Sequence, residues 1–121
     1  NVGGGTAEDH YNNGVLASME FWGVTTGDAT AYLSGNPYAG IEEIAYEKWV
    51  SLYLQGPEAW AEWRRLDLPV LTPSPYASTQ QIPVRDAYDA SVESNNAANY
   101  AAMVAAQGPD NIYNKLWWDI N

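Results

Sequence analysis

Apolar positions recur at helical spacing along much of this chain. In "AEDHYNNGVLASMEFWG", Tyr11, Val15, Met19 and Trp22 return every three or four residues with Leu16 beside them, the pattern of one helix face. Thr6 followed by Asp9 has the form of a capping box with Asp in place of Glu. A helix over 8–22 is predicted, with Gly23 as its stop. Thr26 or Asp28 can cap a short second helix, "DATAYLSG", which Gly35-Asn36-Pro37 ends. A third helix is predicted over 40–55. Ile41, Ile44, Ala45, Trp49 and Leu52 share a stripe, but Tyr46, Val50, Tyr53 and Leu54 are apolar too. Glu43, Glu47, Ser51 and Gln55 make its single polar row. A helix apolar around most of its circumference belongs inside something sizeable.

The stretch "GPEAWAEWRRLDLP" then reads as the second arm of a helix–turn–helix. Gly56 can both cap the preceding helix and open the next, Pro57 takes the first helical position, and a helix runs over 57–66. From 67 to 93 the pattern lapses. Pro69, Pro73, Pro75 and Pro83 deny regular structure, and a structureless run of this length suits a strap across a larger body better than a connection in a small domain. An Ala-rich helix, "NAANYAAMVAAQG", is predicted over 96–106 before Gly108-Pro109, and the chain closes on "DNIYNKLWWDIN". The fold class is mainly α: helix–turn–helix elements and one long irregular Pro-rich strap.

Composition narrows the function. With 121 residues there is one domain at most. Fifteen acids against five bases give a net charge of −10, which argues against nucleic acid as a partner, because phosphate binding needs clustered Lys and Arg. Six Trp and nine Tyr against one Phe suit half-wet surfaces and sugar stacking as well as a core of large residues. Without cysteine there is neither disulfide nor thiol chemistry. The start "NVGGG" carries neither Met nor a leader pattern, as expected of a processed terminus or of a piece of a longer protein.

Candidate chemistry is sparse. Trp60 and Trp63 share a helix face, either as a sugar-stacking platform or, as aromatic stripes at this spacing usually do, as core. Arg64 can lie over Trp60, and Arg64 and Arg65 both suit the negative end of the helix dipole. Glu58 and Glu62 stand one turn apart, but glycosidase carboxylates face each other across a cleft. Glu58 is more simply a first-turn acid, and Glu62 can pair with Arg65. His10 is the only histidine, so no His triad or multi-His metal site can be built. Asp110, Asn111 and Asn114 lack the Gly and terminal Glu of a calcium loop. No catalytic residue, metal or cofactor is assigned.

The motifs in their order are "YNNGVLASMEFWGV", "EKWVSLYLQGPEAWAEWRRLDLPVL", "IPVRDAYD", "NNAANYAAM" and "DNIYNKLWWD". Together they resemble the C-terminal portion of SusD/RagB-type lipoproteins, the outer-membrane nutrient-binding proteins of Bacteroidetes. The most specific part holds Trp49, Trp60, Trp63, Arg64, Arg65 and Pro69, supported by Ile82-Pro83-Val84-Arg85 and by Trp117-Trp118-Asp119. Members of that family are several times longer, with a lipidated Cys and a helical-repeat scaffold upstream. The resemblance therefore implies that residues 1–121 are a C-terminal portion, incomplete alone, and that their aromatics are structural. It implies non-catalytic capture of oligosaccharides or peptides at the cell surface, with a SusC-like TonB-dependent transporter as partner. No ligand-binding residue is carried over. Two other classes stay open on the residues alone: a fragment of a secreted glycan-active enzyme, and a structural interaction domain without a small ligand.

Overall fold

A computed structural model describes residues 3–119. Among them all regular structure is helical: α1 (Ala7–Phe21), α2 (Thr26–Gly35), α3 (Ile41–Ser51), α4 (Gly56–Leu66), α5 (Ala90–Asn95) and α6 (Ala97–Gln107). Residues 1–69 and 70–121 form two compact units.

In the first unit, α1 packs on α2 and α3, and α3 on α4. The capping box at α1 is present in full. The Asp9 amide donates to Thr6 Oγ1 (3.1 Å) while Asp9 Oδ2 accepts from the Thr6 amide (2.8 Å), and these bonds hold the Asp9 carboxyl below its ordinary pKa. At the other end Gly23 takes a positive φ of 78°, which only glycine adopts at little cost. The Gly23 and Val24 amides bond back to the carbonyls of Glu20 and Met19, so a Schellman turn stops the helix. Helix α2 is capped by Thr25, rather than by Thr26 or Asp28. Thr25 Oγ1 accepts from the Asp28 amide at 3.2 Å.

The third helix is shorter than its apolar pattern suggests. It ends at Ser51, because Leu54 adopts the left-handed conformation (φ 68°) and the chain turns through 52–55. Gly56 consequently opens α4, as expected, but does not cap α3, and Pro57 sits in the first turn of α4, where its missing N–H leaves no bond unmade. Lys48 on α3 meets Glu62 on α4 at 2.8 Å, tying the two arms together. Among the described residues of this unit, the buried apolar side chains are Tyr11, Val15, Ala29 and Ala45.

The strap is irregular from 67 to 89, four residues short of the predicted end, and all but its first three residues belong to the second unit. Asp89 starts α5 by accepting from the Ser91 amide at 2.8 Å, a cap that the proline pattern concealed. Helices α5 and α6 pack together, and Gly108 (φ 86°) closes α6. A side chain at 108 would press on Asn114, whose Nδ2 lies 2.9 Å from the place of a Cβ.

Candidate functional site

The residues singled out in the sequence fall into three groups. On α4 the Arg64 guanidinium lies 3.9 Å from the Trp60 ring centroid, a cation–π stack. Trp49, Trp60 and Trp63 are each half-buried, so the burial expected of them is only partial. Glu62 receives Arg65 through Nε (3.2 Å) and Nη2, as well as Lys48. Hydrogen bonding from Arg65, and then from Lys48, outweighs burial and holds its carboxyl down at about 2. A carboxylate so fixed cannot pass a proton near neutral pH. Glu58 is exposed in the first turn of the same helix.

The second group organises residues 70–121. Asp110 accepts from Arg85 Nη2 (3.0 Å), the Tyr88 amide (3.1 Å) and the Tyr100 hydroxyl (3.3 Å). Arg85 and Asp110 are 6% and 4% exposed at their side chains, and Arg85 also lies 5.6 Å from the Tyr88 ring centroid. The Val84 amide bonds the Ile112 carbonyl at 2.8 Å. "IPVRDAYD" is thereby stitched to "DNIYNK". Asp110 is used up by this work. Trp117 is 81% exposed, and Trp118 lies at the edge of exposure.

The third group is a groove that the sequence pattern did not reveal. A cavity of about 650 Å³ lies in the first unit between α1 and α3, with Tyr32 of α2 at one side. Tyr11, Val15, Met19 and Trp22 line it from α1, and Ile44 and Val50 from α3. Tyr32 donates to Glu47 Oε1 at 2.7 Å, and burial followed by the Glu47 carboxylate pushes the phenol pKa well up, so it stays a donor. At the mouth, Phe21 and Trp22 meet edge to face at 5.3 Å, and Trp22 and Tyr53 at 6.3 Å. Phe21, Tyr53 and neighbouring Leu54 are 80%, 67% and 81% exposed. The lip can stack flat or apolar surfaces, and the Tyr32–Glu47 pair can exchange hydrogen bonds with hydroxyl or amide groups. Among the described residues no group of three or more acidic or His side chains could hold a metal ion. The signal that could have found it is the alternation of small residues at 7, 14 and 18 with the large ones on α1, which leaves a channel beside a stripe that reads as core.

Comparison with known proteins adds what the geometry leaves open. A family model described as starch-binding, associating with the outer membrane, matches residues 2–89. Among solved structures, a chitin-binding protein matches with a TM-score of 0.82 and 29% identity over 98% of this chain. A SusD-like protein of Bacteroidetes matches with a TM-score of 0.81 and 27% identity over 97%. A chitin-binding SusD homologue from Flavobacterium johnsoniae matches with a TM-score of 0.74 and 25% identity over 98%. This chain covers only 29%, 26% and 32% of those three structures. No curated protein is matched. With more than half its length under the family model and its helices superimposing on SusD-like structures, the chain belongs to the SusD/RagB family.

Proposed function

We propose that these residues are the C-terminal portion of a non-catalytic cell-surface protein that captures oligosaccharides and delivers them to a SusC-like TonB-dependent transporter in the outer membrane. The observation that carries this reading is the family match across residues 2–89, whose description is starch binding at the outer membrane. Two neighbours named as chitin-binding extend it to glycans generally. The lipid anchor lies on the polypeptide preceding these residues, and no cofactor takes part. Trp49, Trp60, Trp63, Arg64, Arg65, Trp117 and Trp118 serve as structural motif residues within this portion.

The state of the acids supports a binding role over a hydrolytic one. Glu62 is committed to two cations and Asp110 to three donors, which leaves neither as a general acid. Electrophoresis of the intact protein through gels containing starch or a soluble chitin derivative tests the reading. Retardation in one of the two gels without a cleared zone is expected. Unretarded migration in both, or clearing of the polysaccharide, would refute it.

A further inference from the structure

Residues 73–81 form an ordered loop that holds its largest side chain out in solvent. Pro75 takes the second position of a β-turn, where its ring presets the backbone, and the Ala77 amide closes that turn on the Ser74 carbonyl at 2.9 Å. The Tyr76 amide donates to Ser74 Oγ at 3.3 Å. A second turn follows at once. Gln80 adopts the left-handed conformation (φ 51°), uncommon for a residue other than glycine, and its Nε2 reaches back to the Ala77 carbonyl at 2.7 Å. Thr79 Oγ1 donates to the Tyr113 hydroxyl at 2.7 Å, which ties the loop to the segment after α6. Within this frame Tyr76 is 95% exposed, more than any other large apolar side chain among the described residues.

Ordering a loop costs conformational entropy that burial of its side chains normally offsets, and this ring contributes no burial. A Tyr carried on a fixed backbone is instead pre-organised for contact, since only two side-chain angles remain to be ordered on binding. Charge selects what it contacts. The chain as a whole carries −10, yet residues 68–84 hold no charged side chain. Around the ring the loop offers the exposed hydroxyl of Ser78 and the exposed amide of Gln81, both neutral. One flat apolar face flanked by neutral donors and acceptors suits a pyranose ring, which has an apolar face and a rim of hydroxyl or acetamido groups. A protein anchor would instead sit among apolar neighbours that exclude water, and none stands beside Tyr76 in a loop of Ser, Thr, Gln, Pro and Ala.

We infer that Tyr76 is a glycan-contact residue, stacking its ring on one pyranose unit of the bound oligosaccharide while neutral side chains of the same loop meet the sugar's polar rim. The contact uses none of the residues that line the α1–α3 groove. It rests on the glycan-capture reading proposed above and adds to it a place of contact.

Nitration of the intact protein with tetranitromethane, mapped by peptide mass, reads the contact residue by residue. Tyr76 should react fast, and a saturating starch or chitin oligosaccharide should slow it about tenfold, while the exposed Tyr88 keeps its rate. Tyr76→Ala should leave the thermal melt in place, because the ring is unburied, and weaken the glycan about tenfold in gel retardation. Tyr76→Phe, which keeps the ring face, should weaken it no more than about twofold. A parent protein retarded by neither polysaccharide would bring down the glycan reading and this contact with it. A parent that binds while Tyr76→Ala binds equally well, or while sugar leaves Tyr76 nitration unchanged, overturns the contact alone. Slower nitration on assembly with the transporter but not with sugar would make the loop a protein contact and overturn the inference too.

Discussion

Asp110 shows how one carboxylate can hold an irregular segment in place. It takes a guanidinium and a backbone amide from one stretch of chain and a phenol from another, and its own side chain and that of Arg85 are buried. Asp110→Ala would strand Arg85 as an unpaired buried cation. It should destabilise the chain by about 3–5 kcal/mol, read as a lower urea midpoint, and a loss under 1 kcal/mol would mean that water replaces the pair at little cost. Glu62 makes a different prediction. Its folded pKa of about 2 lies below the ordinary 4.5, so its ion pairs stabilise fully above about pH 4.5 and that contribution fades as pH falls toward 2. Glu62→Gln should therefore lower stability by about 1–3 kcal/mol at pH 7, with the difference from the parent vanishing near pH 2. The upper figure is reduced because Lys48 and Arg65 are half exposed. A difference that persisted at pH 2 would assign the effect to packing. The Glu62–Arg65 pair was readable in the sequence because its partners stand three apart. Arg85 with Asp110 was not, since 25 residues of strap and helix separate them.

At the scale of elements, helices whose signals are local came through in the sequence: the capping box of α1, Gly23, and Pro57 in α4. Helix α3 was overextended because its apolar pattern continues through residues that the backbone uses for a turn. Leu54 carries that turn at φ 68°, a conformation that disfavours Leu, while its side chain is 81% exposed. Leu54→Gly should accordingly stabilise the isolated chain by about 0.5–1 kcal/mol. A loss of stability would show that Leu54 packs against something in this chain. Trp60 is half-buried and covered by Arg64, and Trp60→Ala should remove about 1–3 kcal/mol without altering glycan affinity. Lost affinity at unchanged stability would make Trp60 a sugar platform instead. The groove itself escaped the sequence because a helix stripe looks the same whether a neighbour covers it or not.

At the scale of the whole molecule, few of the described residues are fully enclosed. Tyr11 and Val15 are the largest buried apolar side chains in the first unit, and Val84 is the counterpart in the second. A chain of this kind should bind a hydrophobic dye and melt over a broad range alone. If residues 1–121 are the C-terminal portion proposed above, the melt should become cooperative in the longer protein, and a sharp melt without dye binding would contradict that proposal. On the proposed function, such a scaffold serves glycan capture. The most direct measurement is titration calorimetry of the intact protein with chitin and starch oligosaccharides, followed by chromatography of the recovered sugar. Saturable binding with the oligosaccharide returned at its original length is the predicted result. Absence of binding to both series, or recovery of shortened products, would contradict it.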